Sequence, residues 1–143
     1  MNRYEVLIGR FGNATKNPFW TQDTGHTPTS ANTEYTLTVD IATANSVGSV
    51  GRIELYGTTS STIYATADFA PVATNTWYET SASYVSDGTE SETLGIRLKF
   101  GSSGSSDRIE FNDVRLDTAV VPEPTTTALL GLGGLALILR RRK

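Results

Sequence analysis

The 143-residue sequence has no cysteine and a single histidine. Without cysteine there is no disulfide, no thiolate ligand and no Cys-His nucleophile, and one histidine excludes a multi-histidine zinc site. That residue, His26, lies in a Thr/Pro-rich stretch, and the chain has no Gly-x-Ser-x-Gly elbow, so His26 is expected to be an ordinary exposed loop residue rather than the base of a serine triad. Cations are also scarce through most of the chain. Net charge is −3, but four cations crowd into the last four positions, and what precedes them carries −7. Binding to nucleic acid draws on cationic contacts to phosphate, so an acidic domain of this kind is not expected to bind it. The opening MNRYEVLIGR has an apolar stretch only from Val6 to Ile8, too short for a secretory signal peptide.

What is present is a series of short alternating stretches. In Glu34 to Ile41, Tyr35, Leu37, Val39 and Ile41 alternate with Thr36, Thr38 and Asp40, a period of two that buries one face and leaves the other wet. Gly51, Ile53 and Leu55 alternate with Arg52, Glu54 and Tyr56. Leu94, Ile96, Leu98 and Phe100 alternate with Arg97 and Lys99. Tyr4 to Ile8, Thr62 to Phe69, Trp77 to Val85 and Arg108 to Asp117 complete seven predicted strands, while residues 10–32 read as loop. Asp87-Gly88 is a turn signal, and GSSGSS at 101–106 is a flexible loop.

The last strand changes phase. Ile109 and Phe111 are apolar at odd positions, Val114 and Leu116 at even ones. One extra residue near Asn112-Asp113 would return all four to one side, which predicts a β-bulge. Seven short strands, turns about ten residues apart and no convincing helix before the tail predict an antiparallel β-sandwich over residues 1–118.

Candidate chemistry within that domain is sparse. Asp87, Glu90 and Glu92 could offer oxygen ligands to calcium, though not at an EF-hand spacing. Glu54, Glu79 and Glu110 lie on strands with apolar neighbours, as solvated outward-facing residues do, and nothing fixes the separation a glycosidase pair requires. Stacking on sugar needs exposed aromatic planes, and the candidates are Trp20, Tyr56 and Tyr84. Trp20, set in a polar loop, is expected to be exposed, and Trp77, at a strand start, to be packed.

The end of the chain has a different character. Pro122, Glu123 and Pro124 fall in a linker predicted over 119–127. An uncharged run follows, with Ala128, Leu129, Leu130, Leu132, Leu135, Leu137, Ile138 and Leu139, and Arg140, Arg141, Arg142 and Lys143 close it. Residues 128–139 would span roughly 18 Å as a helix, short of a hydrocarbon core of roughly 30 Å. Local bilayer thinning and outward reach of the arginines accommodate a short span. Cations at the tip orient it with Lys143 cytoplasmic and the domain across the membrane.

Motif, apolar run and basic tip in this order resemble the PEP-CTERM sorting tail of bacterial cell-envelope proteins. That resemblance implies processing by exosortase, a membrane protease or transpeptidase. Pro122, Glu123 and Pro124 would be recognised, residues 128–139 embedded as one short transmembrane helix, and Arg140 to Lys143 would act as stop-transfer. It further implies a precursor at the inner membrane with a periplasmic domain, then a place at the surface of, or outside, a Gram-negative-type bacterium. Export needs a signal peptide, so the natural chain is expected to begin upstream of Met1. YTLTVDI at 35–41, TWYETSASYVSDG at 76–88, LGIRLKF at 94–100 and IEFNDVRLD at 109–117 are similar to galactose-binding-like jelly rolls. Such domains usually have about eight strands, which implies that a strand at the N-terminus is missing from the seven read here and that residues 1–118 are an N-terminally truncated domain, and they leave polysaccharide binding and a bound calcium open.

Overall fold

A computed structural model describes residues 3–6, 19–44, 47, 50–101 and 109–122, with backbone alone at 3–6, 100 and 101. Eight strands follow in chain order: β1 (Arg3–Val6), β2 (Phe19–Asp23), β3 (Thr33–Thr43), β4 (Val50–Gly57), β5 (Ile63–Phe69), β6 (Tyr78–Ser86), β7 (Leu94–Gly101) and β8 (Ile109–Val120). They form two four-stranded sheets, β1-β8-β3-β6 and β2-β7-β4-β5, in which every neighbouring pair is antiparallel. Chain order alternating between facing sheets in this way is the eight-stranded jelly roll. The all-β sandwich expected from the alternation is what forms.

Central strands supply the core. Tyr35, Leu37, Val39 and Ile41 of β3, Ile53 and Leu55 of β4, Leu94, Ile96 and Leu98 of β7, and Ile109, Phe111, Val114 and Leu116 of β8 are all buried. Each fully buried aliphatic side chain contributes about 1.5–3 kcal/mol. The phase change in β8 is absorbed as predicted: Arg115 lies opposite Thr38, whereas Asn112 already lies opposite Asp40, so β8 spends one residue more than β3 across this interval. Asp113 takes φ 48°, a left-handed backbone that Asp tolerates better than most residues. Ile109 and Phe111 thereby share the inner face with Val114 and Leu116.

One strand was not anticipated. β2 pairs with β7 from Phe19 opposite Lys99 to Asp23 opposite Gly95, inside the stretch read as loop. Its inward positions are Trp20 and Gln22, so only one of them is apolar, and the alternation is too thin to register. Among the described residues β2 brings the strand count to eight. β8 also runs farther than expected, to Val120, through residues 119–120 that the sequence assigned to a linker.

Candidate functional site

The chain leaves the jelly roll at the end of β8. Thr33 and Val120 are opposite partners in the β3–β8 ladder, and the Val121 N–H donates to the Asn32 carbonyl at 2.7 Å. Asn32 is itself held, because its N–H donates to the Ser86 carbonyl at 2.9 Å while its backbone sits at φ 56°. Ser86, buried, donates from Oγ to Glu90 Oε2 at 2.7 Å and lies 3.3 Å from the Pro28 carbonyl. Gly88 completes the end. Its φ is 82°, and a Cβ there would meet the Ala31 nitrogen at 2.7 Å, so the close approach of the two loops requires glycine. Pro122, the first residue of the Pro-Glu-Pro triplet, is exposed one residue beyond the Val121–Asn32 bond. Glu123, Pro124, the apolar run and the basic tip lie outside the described residues. Among the described residues no helix is long and apolar enough to cross a membrane.

The three calcium candidates do not converge. Asp87 Oδ1 accepts from the Thr89 N–H at 2.9 Å and the Thr89 hydroxyl at 2.6 Å, closing its own turn. Glu90 is engaged by Ser86. Glu92 instead reaches the β4–β5 turn, accepting from the N–H groups of Thr59 and Ser60 at 2.7 and 2.8 Å, from Ser60 Oγ at 2.5 Å and from the Tyr64 hydroxyl at 3.2 Å. No group of three potential metal ligands gathers among the described residues. Asp87 and Glu90 are each engaged by hydroxyl or backbone donors within the β6–β7 connection, whereas Glu92 serves the β4–β5 turn.

Hydrogen bonds from Ser60, first from its hydroxyl and then its backbone, with further ones from Thr59 and Tyr64, hold the Glu92 carboxyl down to about 2 from an ordinary 4.5. A carboxyl depressed in the folded state stabilises the fold above its unfolded value and loses that contribution as pH falls through the folded one. Thermal melts from pH 5 to pH 2 are therefore expected to show the parent losing more stability than Glu92→Gln below about pH 4.5, the gap between them closing toward pH 2.

Exposure differs from expectation at Trp20 and Trp77. Trp20 is half-buried and packs on the core from β2. Tyr84 is half-buried on the inner face of β6, with its ring 4.8 Å from that of Tyr64. Tyr56 is buried on the outer face of its sheet. It lies against Gly95, where a Cβ would meet its ring at 2.5 Å, and under the Arg97 guanidinium, 4.1 Å from the ring centroid. Trp77, expected to be packed, is 47% exposed just before β6. It follows Asn75 and Thr76 in a loop anchored by the Asn75 N–H to the Thr43 carbonyl at 2.7 Å. β6 begins opposite Ile41, so this loop is at the end of the sandwich away from Pro122.

Outward-facing Glu54 is not solvated. Its side chain has no exposure and stands between Arg97 NH1, 3.1 Å from Oε2, and Lys99 Nζ, 2.7 Å from Oε1. The lysine contact compensates charge without lying along a hydrogen-bond direction, so Oε1 receives no directed bond, nor does Arg97 Nε make one. By contrast Glu79 is exposed and paired to Arg115 at 2.7 Å, and Glu110 is half-buried. His26 is half-buried too, its Nε2 3.1 Å from the Tyr35 hydroxyl and its carbonyl accepting from the Leu94 N–H, which makes it a packed element of the sandwich end rather than an exposed loop side chain.

Residues 120–143 match the PEP-CTERM protein-sorting motif, which implies a secreted protein anchored transiently in the membrane and processed by exosortase. No curated protein matches the chain. Among solved structures, a cyclase from Fischerella sp. TAU in complex with 4-(1H-indol-3-yl)butan-2-one is 26% identical with a TM-score of 0.59, over 71% of this chain and 56% of its own. An apo form cyclase from Fischerella sp. is 23% identical with a TM-score of 0.58, over 78% of this chain and 60% of its own. The chain thus spans little more than half the length of these cyclases. The EclA C-terminal domain, a sugar-binding protein, is 16% identical with a TM-score of 0.48, over 82% of this chain and 77% of its own.

Proposed function

We propose that the chain is an exported, non-enzymatic structural or adhesive protein of the cell envelope or extracellular matrix. Residues 128–143 hold it at the inner membrane, with the jelly roll in the periplasm, until an exosortase-type enzyme acts at Pro122–Pro124. The observation that carries this is the sorting motif at 120–143, which begins on the last residue of the domain's closing strand. In this account Pro122, Glu123 and Pro124 are substrate features. The prolines disfavour helix and present an extended segment just outside the bilayer. Ala128 to Leu139 is embedded and Arg140 to Lys143 stops transfer. A non-enzymatic role is supported by the engagement of the strand carboxylates: Arg97 and Lys99 hold Glu54, Arg115 holds Glu79 and Arg52 holds Asp68. Cell fractionation with intact-mass readout in the native host tests the proposal. Glu123→Ala is expected to accumulate at full length in the membrane while the parent chain leaves it, and equal distribution of the two would refute it.

A second role, as a carbohydrate-binding module, draws on the exposure of Trp77 beside Asn75 and Thr76. An aromatic plane flanked by amide and hydroxyl groups suits the apolar face and polar edge of a sugar. That role requires saturable binding to a matrix polysaccharide which Trp77→Ala abolishes.

A further inference from the structure

Val120 and Val121 belong to two structures at once. The sorting motif begins at Val120, yet Val120 is the last residue of β8 and the Val121 N–H is already given to Asn32. An enzyme that binds its substrate as an extended strand pairs with backbone groups on both sides of the bond it cuts. Pro122 has no N–H to offer, so the nearest donor on its N-terminal side is the one held by Asn32. An exosortase that binds in this way would compete with β3 for the same backbone.

How far the strand can yield is set by burial. Ala119 and Val120 are exposed, Val120 at 78%, and Thr118 and Val121 are half-buried, so releasing 118–121 uncovers little apolar surface. Leu116 is fully buried and forms a stop, since peeling past Asp117 would open the core. Strand ends of this kind open locally at a small fraction of the global unfolding free energy.

Resting on the exosortase-substrate reading above, we propose that processing requires the end of β8, Thr118 to Val121, to peel away from β3, with Asn32 as the latch and Leu116 as the limit. The folded domain thereby sets the rate at which its own tail is taken. Cutting a peptide bond after Pro122 passes the acyl group to water or to an acceptor amine and releases the tail with a new protonated amino terminus. Both routes need the same freed stretch in the enzyme's groove.

A reversible lock tests this. Thr33 and Val120 are opposite each other, and because the bond runs from the Val121 N–H to the Asn32 carbonyl they are a non-hydrogen-bonded pair, the closer kind and within disulfide reach. The chain has no other cysteine to interfere. Full-length Thr33→Cys/Val120→Cys precursor, oxidised or reduced, is incubated with exosortase-containing membranes of the native host, beside wild type and Glu123→Ala. A thermal melt confirms that both redox forms are folded. The oxidised form is expected to be processed at least roughly tenfold more slowly than the reduced form, because a crosslinked strand end cannot open. A flexible Gly/Ser insertion between Val121 and Pro122 is expected to restore the rate in the oxidised form. Equal rates for oxidised and reduced forms, with Glu123→Ala still blocked, would overturn the latch and leave the sorting reading standing. If wild type and Glu123→Ala were processed alike, or neither at all, the sorting reading would fail and the latch with it.

Discussion

Deleting Asp113 is expected to unfold the domain, although the residue itself is half-exposed and its carboxylate is paired with Arg115 NH1 at 3.2 Å. Its contribution is to phase. Between the Thr38–Arg115 and Asp40–Asn112 pairs β8 carries one residue more than β3, and that surplus keeps Ile109 and Phe111 on the same side as Val114 and Leu116. Without it the chain must expose one pair or the other, because a shift of one residue turns every side chain to the opposite face. Two buried apolar side chains at about 1.5–3 kcal/mol each amount to about 3–6 kcal/mol. That is most or all of the stability of a domain near the lower end of the usual range of about 5–15 kcal/mol. Urea unfolding followed by circular dichroism reads this directly. Asp113→Gly, which keeps the residue count and suits φ 48°, is the control and is expected to unfold close to the parent. A deletion variant as stable as that control would show that β8 is not phased by its bulge.

Glu54→Ala is expected to cost about 3–5 kcal/mol, the range for breaking a buried ion pair by removing one partner. The carboxylate has no exposure, and removing it leaves Arg97, with 17% side-chain exposure and wedged above Tyr56, without its counter-charge. Lys99, 36% exposed, can turn to water; Arg97 cannot do so without giving up its ring contact. The comparison lies on the same sheet face, where Asp68 pairs with Arg52 through two bonds of 2.5 and 2.8 Å, at exposures of 45% for the arginine and 54% for the aspartate. Asp68→Ala is expected to cost about 0–1 kcal/mol, since an exposed pair gains little over its hydrated parts. Chemical denaturation of the two variants should separate them by at least about 2 kcal/mol. Equal effects would mean that Glu54 is hydrated in solution.

These two cases also mark what a period-two pattern reveals. Alternation assigned Leu37, Ile53, Ile96 and Leu116 to the inner face, and the change of parity after Phe111 placed the bulge, because burial of apolar side chains drives both. The same pattern assigned Glu54 to the outer face correctly and then misjudged its exposure. Parity names a face, whereas cover comes from cross-strand neighbours: Arg97 opposite Glu54, and Gly95, whose missing side chain lets Tyr56 lie down. Trp20 and Trp77 exchanged roles for a related reason. Trp20 occupies an inward position of a strand too polar to recognise, while Trp77 stops one residue short of β6 and is left exposed. The latch at Asn32 has no signature in composition, since it joins residues 89 positions apart through backbone groups alone. The sorting motif, by contrast, was fully legible, being read by an enzyme from a contiguous stretch.

The intact mass of the mature protein purified from its native cells tests the account most directly. A chain ending between Pro122 and Thr127, without the Ala128 to Lys143 segment, is the predicted result. A mature chain that still ends at Lys143, with Pro122, Glu123 and Pro124 intact, would contradict it and make the tail a permanent anchor.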